Sequence, residues 1–219
     1  MVKAILFDFD GTLSDRYGAA YDMYRWTVHR IFPEMDEDSY EFEAIVQRCL
    51  QWDEFGCIDR THPFSMIKEK YKSDLDVAYW EKEWFDNFYH FQRLQPNCSE
   101  TLLALLKHYK LGIITNGPEK NQLGKIRQLD LEQYFATVIV SGAFGKDKPD
   151  PAIYQKAAAD LGVSCTECAF IGDTFATDII GAMRAGMKPI LYASDRRGLS
   201  RFDVQAVRSY KEIAEIFLK

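Results

Sequence analysis

The chain has 219 residues, of which 47% are hydrophobic and 27% are charged, as is typical of globular proteins. Its formal net charge is -6 at pH 7 and no long basic run appears, which argues against a nucleic acid partner. No segment approaches the roughly 18 consecutive apolar residues that indicate a membrane span, and the N-terminus does not resemble a signal sequence. We therefore expect a cytoplasmic protein with no membrane association.

The cysteines are scattered and odd in number, which suits a reducing compartment. They are Cys49, Cys57, Cys98, Cys165 and Cys168. The last two form a C-x-x-C pair, but no second pair and no nearby histidines accompany them. We interpret them as ordinary thiols that precede a strand, with a redox or zinc role as the alternative.

Five short runs rich in Ile, Val, Leu and Phe predict buried β-strands, because they lack strict alternation of apolar and polar residues. They cover residues 3–9, 111–115, 137–141, 169–172 and 189–192. Helical patterns separate most of them, including one that begins at Asp150-Pro151 and one over 179–185 that ends at Gly186. This alternation predicts an α/β fold built on a doubly wound parallel sheet.

Residues 14–95 interrupt this alternation, because they have no strand-like runs and show helical patterns throughout. All four tryptophans and 18 of the chain's 31 aromatic residues lie there. We predict an α/β domain formed by residues 1–13 and 96–219, with a helical domain over 14–95 inserted into it. Most of the aromatic residues should form the core of the helical domain, and Tyr17, Tyr21 or Trp52 could instead contact a substrate.

Two carboxylates follow the first predicted strand in the sequence Asp8-Phe9-Asp10-Gly11. In a continuing strand, residues two apart face the same side, so both acids are presented at the carboxyl end of a buried strand. Two clustered carboxylates repel each other unless a cation lies between them or one is protonated. Oxygen ligands favour Mg²⁺, so this segment predicts a magnesium site.

Two further segments offer groups that bind phosphate. Thr115-Asn116 ends the second predicted strand, and its hydroxyl and the N–H groups that follow could bind phosphate oxygens. Lys148 precedes a proline-set turn, which would hold its ammonium near a negative nucleophile and a phosphate. Lys146 is the rival lysine in the same loop.

The fourth predicted strand ends in Gly172-Asp173, and a second acid, Asp178, lies five residues further on. Asp173 would complete the oxygen ligands of a metal. Asp178 would either complement the dipole of the next helix or orient Lys148 and the metal's waters.

Together these motifs resemble the haloacid-dehalogenase superfamily, in its phosphatase branch with a helical cap inserted after the first motif. The resemblance rests on Asp8-x-Asp10-Gly-Thr, Thr115-Asn116, Lys148-Pro-Asp-Pro and Gly-Asp173-(x)4-Asp178, and it covers nearly the whole chain. Many relatives have Asn-Asp where this chain has Thr177-Asp178.

The resemblance implies a phosphomonoester hydrolase that works through an aspartyl-phosphate. Asp8 would be the nucleophile and Asp10 the general acid and base. Mg²⁺ would be held by Asp8, Asp173 and the backbone carbonyl of Asp10. Thr115, Asn116 and Lys148 would bind phosphate, with Asp178 in support. The partner would be a small phosphate ester, such as a nucleotide or sugar phosphate, and the protein a monomer or homodimer.

Three alternatives to a phosphatase follow from the same motifs. Dehalogenases displace halide, which needs no proton, so the carboxylate of Asp10 argues against that reaction. A phosphomutase of the β-phosphoglucomutase kind shares the core residues and stays open. A non-catalytic binding protein with this fold would be expected to lack at least one core residue, and none is missing.

Overall fold

The computed structural model describes residues 1–56, 58–193 and 204–219. Cys57 therefore lies outside the described residues. The chain divides into two compact units, one formed by Met1–Asp15 with Arg93–Lys219 and the other by Arg16–Gln92. We call them unit 1 and unit 2.

The strands all belong to unit 1 and form one sheet. They are β1 (Ala4–Phe7), β2 (Lys110–Thr115), β3 (Thr137–Val140), β4 (Cys168–Gly172), β5 (Lys188–Tyr192) and β6 (Ala206–Val207). The order across the sheet is β3-β2-β1-β4-β5-β6, and every neighbouring pair is parallel. This confirms the predicted doubly wound α/β fold, whose first half and second half extend in opposite directions from β1.

The α-helices divide between the two units. Unit 2 contains α1 (Arg16–Ile31), α2 (Tyr40–Trp52), α3 (Thr61–Lys70) and α4 (Val77–Asn87). Unit 1 contains α5 (Cys98–Leu105), α6 (Glu119–Gln128), α7 (Ser141–Phe144), α8 (Pro151–Asp160), α9 (Ile180–Ala185) and α10 (Tyr210–Phe217).

Helices cover both faces of the sheet, because successive residues of each central strand point to opposite sides. In β1, Ile5 and Phe7 join a core that includes residues of α5 and α10. Ala4 and Leu6 join a second core that includes residues of α8 and α9. All four side chains are fully buried. The strands therefore read as continuous apolar runs and not as alternating ones.

Unit 2 has its own aromatic core between its helices. Trp84 stacks on Phe88 with ring centroids 4.7 Å apart, and it also contacts Tyr24 and Phe64. The aromatic side chains of this segment thus form the hydrophobic core of unit 2, whereas the apolar side chains of the strands contribute to the core of unit 1. None of the helices in the described parts of the chain is long and apolar enough to cross a membrane.

Some element boundaries differ from the predicted ones. Ser141 was predicted to end a strand, but it begins α7, and its hydroxyl accepts a hydrogen bond from the Gly117 N–H. The helix predicted over 179–185 is preceded by a π-helical turn over Phe175–Ile179. The two-residue strand β6 was not predicted, because so short an element leaves no periodic pattern.

Candidate active site

The sheet brings three of the predicted site residues together. Asp8 directly follows β1, Thr115 is the last residue of β2, and Asp173 directly follows β4. These three strands are neighbours in the order β2-β1-β4, so their carboxyl ends meet at one edge. The Asp8 N–H donates to the Ile171 carbonyl at 2.9 Å. The hydrogen bonding between β1 and β4 therefore continues as far as Asp8. Open α/β sheets bind ligands at this edge.

Lys148 is buried between two carboxylates. Its Nζ lies 2.5 Å from Asp8 Oδ1 and 2.7 Å from Asp178 Oδ1. Only 4% of Lys148 is exposed, compared with 6% of Asp8 and 1% of Asp178. The two charge-assisted hydrogen bonds fix the ammonium directly beside the carboxylate that follows β1.

Asn116 holds the backbone of Lys148 in place. The Lys148 N–H donates to Asn116 Oδ1 at 2.8 Å, and Asn116 Nδ2 donates to the Lys148 carbonyl at 3.1 Å. This reciprocal pair ties the turn before α8 to the end of β2. Lys146 has a different place, because it is half exposed and pairs with Asp150. Of the two rival lysines, the structure brings only Lys148 to Asp8.

Three carboxylates gather at the same edge of the sheet. Oxygens of Asp8, Asp173 and Asp178 all lie within 4.8 Å of one another. The π-helical turn carries Asp178 into this cluster, where its Oδ1 accepts from Lys148 and its Oδ2 accepts from the Thr174 N–H at 2.9 Å. Both oxygens of Asp178 are thus engaged by donors. Asp8 Oδ1 accepts from Lys148, and Asp173 Oδ1 accepts from the Thr174 hydroxyl at 3.2 Å.

Burial dominates the electrostatics of the cluster. It raises the pKa of Asp8 to about 7, although Lys148 opposes this shift and Asp178 adds to it. Burial also raises the pKa of Asp173 well above its usual range, and repulsion from Asp8 and Asp178 adds to the shift. Burial lowers the pKa of Lys148, but the negative charges of Asp178 and Asp8 raise it by more than burial lowers it. The net shift is upward, so the ammonium stays charged.

Two glycines give the acids room. Gly11 adopts a φ of +88°, and a Cβ there would lie 2.3 Å from Asp173 Oδ2. A Cβ at Gly172 would lie 2.5 Å from Asp178. A side chain at either position would displace a carboxylate of the cluster, and at Gly11 the backbone conformation itself disfavours any other residue.

Asp10 lies apart from the three-carboxylate cluster. Lys125 Nζ lies 2.9 Å from its Oδ1 and 2.7 Å from its Oδ2, and Gln122 Nε2 lies 2.9 Å from its Oδ2. Gln122 Nε2 also lies 2.5 Å from the Thr115 hydroxyl oxygen. Sequence reasoning missed Gln122 and Lys125, because polar residues on a helix usually face solvent. The one usable signal was their spacing of three on α6, which puts both on one face.

The two cysteines of the C-x-x-C pair, Cys165 and Cys168, have raised pKa values. Burial raises the pKa of Cys168 to about 11 and also raises that of Cys165. Both therefore remain thiols near neutral pH, and metal binding and nucleophilic attack both require the thiolate.

Comparison with known proteins identifies the family of this chain. The family model for haloacid dehalogenase-like hydrolases matches residues 2–186. The chain is 30% identical over 194 residues to the glyceraldehyde 3-phosphate phosphatase of Methanopyrus kandleri, covering 85% of this chain and 82% of that one. It is 26% identical over 218 residues to the N-acylneuraminate-9-phosphatase of Rattus norvegicus, covering 90% and 85%.

A solved structure has a similar fold. The crystal structure of the HAD-hydrolase YfnB from Bacillus subtilis, bound to magnesium, covers 99% of this chain and 98% of its own, with a TM-score of 0.81 at 22% identity. The predicted family and enzyme class are thus confirmed: the chain belongs to the haloacid dehalogenase-like hydrolases and is a phosphatase.

Proposed function

We propose that this protein hydrolyses a small phosphate monoester with Mg²⁺ through an aspartyl-phosphate formed on Asp8. The observation that carries the proposal is the buried contact between Lys148 and Asp8, 2.5 Å long, beside the carboxylate of Asp173. A carboxylate attacks phosphorus only if the repulsion between two anions is offset, and a fixed ammonium at the nucleophile does this without any reorganisation during the reaction.

In the first step, a carboxylate oxygen of Asp8 attacks phosphorus and forms the P–O bond of the aspartyl-phosphate. The bond between phosphorus and the ester oxygen breaks, and Asp10 gives its proton to the departing alkoxide. The leaving group thus departs as a neutral alcohol. Lys148 stays beside Asp8 and offsets the charge that gathers on the transferring group.

In the second step, water attacks the same phosphorus. Asp10, now a carboxylate, takes the proton from that water, and the bond between phosphorus and Asp8 breaks. Inorganic phosphate leaves and both acids return to their starting protonation states. Two displacements at one phosphorus thus replace a single harder one.

Thr115 and the N–H of Asn116 bind the phosphate oxygens. The Thr115 oxygen accepts a hydrogen bond from Gln122, so the hydrogen of this hydroxyl is directed to another acceptor. Thr115 is 1% exposed and ends β2, next to the strand that carries Asp8. A phosphate oxygen at that edge would be the acceptor that completes its hydrogen bonding.

The donor set fits a divalent cation. Three carboxylates and one ammonium leave a surplus of negative charge in a buried site. Burial raises the pKa values of Asp8 and Asp173, and repulsion among the acids adds to both shifts. Asp8, Asp173 and the backbone carbonyl of Asp10 would hold Mg²⁺, which prefers oxygen ligands. When bound, the ion supplies positive charge that neutralises the phosphoryl group and the nucleophile.

The substrate we propose is a phosphorylated sugar or sugar-like metabolite. Support comes from the names of two relatives, which act on glyceraldehyde 3-phosphate and on an N-acylneuraminate 9-phosphate. Nucleoside monophosphates and phosphoglycolate-like acids remain in the substrate screen. We further propose that unit 2 is the inserted cap domain of the superfamily.

Hydrolysis is favoured over a phosphomutase reaction and over a non-catalytic binding role. Curated relatives over most of the chain are phosphatases, which supports transfer to water instead of to a second sugar hydroxyl as in a mutase. The buried contacts among Asp8, Lys148 and Asp178 support a catalytic protein over a binding protein, because buried charges are expensive to keep without a use.

A phosphate-release screen over several dozen esters, with Mg²⁺ and with chelator, tests the function itself. We expect at least one sugar phosphate to be hydrolysed with Mg²⁺ and turnover to be lost with chelator. Failure to release phosphate from any ester with any divalent metal would contradict a phosphatase.

The two lysines of one loop make a matched pair. Lys148→Met should lower kcat by about 10²- to 10³-fold, the usual effect of removing a preorganised electrostatic group. Lys146→Met removes the same charge from an exposed site and should leave kcat nearly unchanged. Steady-state kinetics on folded protein check this, and equal losses in both variants would contradict the role of Lys148.

Asp173→Asn should stabilise the protein in chelator while weakening its response to Mg²⁺. Folding raises the pKa of Asp173 above its unfolded value near 3.8. Stability from such a carboxyl is present below the unfolded pKa and is lost as pH rises through the folded-state pKa. The gain from Asn should therefore grow as pH rises above the unfolded value of 3.8 toward neutral pH.

Thermal melts with chelator and with Mg²⁺ measure both effects of Asp173→Asn. Asp86→Asn, an exposed substitution on α4, is the control and should change neither melt. A variant that is less stable than wild type at every pH in chelator, or one with a full Mg²⁺ response, would contradict the account.

A further inference from the structure

One face of α6 joins two parts of the proposed site. Gln122 and Lys125 are three residues apart on this helix, so their side chains lie on the same face. Lys125 contacts both oxygens of Asp10, and Gln122 contacts both Asp10 and the Thr115 hydroxyl. Four hydrogen bonds therefore connect α6 to the proposed acid and to the proposed phosphate ligand.

The side chains of Gln122 and Lys125 are both largely buried. Gln122 is 2% exposed, and 12% of the Lys125 side chain is exposed. The Lys125 ammonium also lies 5.5 Å from the ring centroid of Phe9, which is fully buried. The contact between Lys125 and Asp10 is therefore less exposed to solvent than a surface contact on a helix.

These contacts restrict rotation of the Asp10 carboxyl group about its side-chain torsion. A carboxyl torsion is broad and nearly two-fold when nothing holds it. Three donor contacts to two oxygens select one orientation. Proton transfer to a leaving oxygen depends on how the acid is oriented, because misplacement of a catalytic group by about 1 Å can lower the rate by about 10²-fold.

Gln122 has a second task. Its one amide nitrogen donates to Asp10 Oδ2 and to Thr115 Oγ, which uses both of its hydrogens. Since the Thr115 oxygen accepts there, its own hydrogen points elsewhere. Gln122 thereby sets the direction in which Thr115 donates, as well as the orientation of Asp10.

We propose that Gln122 and Lys125 are positioning residues for the phosphatase reaction. Lys125 orients Asp10 for proton transfer, and Gln122 aligns Asp10 with the phosphate-binding hydroxyl of Thr115. The proposal rests on the proposed function, since it assigns partners to the acid and to the phosphate ligand of that mechanism.

The test exploits the leaving group. An alkyl phosphate expels a basic alkoxide that needs the proton of Asp10, whereas p-nitrophenyl phosphate expels a stable anion that needs it far less. The value of kcat/KM covers the steps up to leaving-group departure. The ratio of kcat/KM for the best alkyl ester of the screen to that for p-nitrophenyl phosphate thus reports on proton donation. Any inactive fraction cancels in this ratio.

We expect Lys125→Met to lower the ratio by at least about 10-fold, which is part of the roughly 10²- to 10⁴-fold that general acid–base catalysis contributes. Lys125→Arg keeps a cationic donor and should restore most of the ratio. Lys120→Met is the matched control, because Lys120 is exposed on the same helix. It should leave the ratio unchanged.

Gln122→Met separates the two tasks. It should lower the ratio and also weaken competitive inhibition by inorganic phosphate, because Thr115 loses its alignment. Lys125→Met should leave that inhibition unchanged. A role limited to stabilising α6 would lower the melting temperature without moving either quantity.

The inference is overturned if wild type hydrolyses both esters and the ratio is unchanged in Lys125→Met and Gln122→Met. It is also overturned if Lys120→Met lowers the ratio as much as Lys125→Met does. Absence of hydrolysis of both esters by wild type would instead overturn the proposed function.

Discussion

The whole site depends on one buried ammonium. Lys148 lies between Asp8 and Asp178, and its ammonium offsets negative charge that is buried away from water. Two sets of contacts fix its position: Asp8 and Asp178 bind its ammonium, and Asn116 binds its backbone N–H and carbonyl. Without this charge the buried carboxylates would repel one another, and the proposed nucleophile Asp8 would be held less readily in its charged form. Lys148 therefore connects stability and chemistry in the same group.

The sheet explains how residues so distant in sequence reach this ammonium. Lys148 and Asp8 are 140 residues apart, yet the parallel order β2-β1-β4 brings the ends of three strands to one edge. Gly11 and Gly172 keep that edge open enough for carboxylates to approach each other closely. A π-helical turn then supplies Asp178 from the segment after β4, and π turns are often found at functional sites. Burial concentrates the negative charge that a divalent cation would relieve.

The sequence was informative wherever one strand end determines a residue's position. Asp8, Thr115 and Asp173 follow apolar runs, so the parallel sheet alone predicts that they meet. Gln122 and Lys125 could not be found in this way, because their importance depends on which way α6 faces once it packs on the sheet. Asp178 is intermediate: its sequence position suggested a helix start, and the π turn decides that it points at Lys148. The two-residue strand β6 is too short to give a periodic pattern in the sequence. Tertiary packing, and not local preference, determines these features.

The roles that we propose for Asp8 and its neighbours all require one covalent intermediate, an aspartyl-phosphate on Asp8. The most direct measurement is to quench the enzyme during turnover, reduce acyl phosphates with borohydride, and map the modified residue by peptide mass spectrometry. Borohydride converts an aspartyl-phosphate to homoserine, so the account predicts homoserine at residue 8 in wild type and none in Asp8→Asn, which should also lack turnover. Turnover retained by Asp8→Asn, or homoserine at another aspartate, would contradict the account.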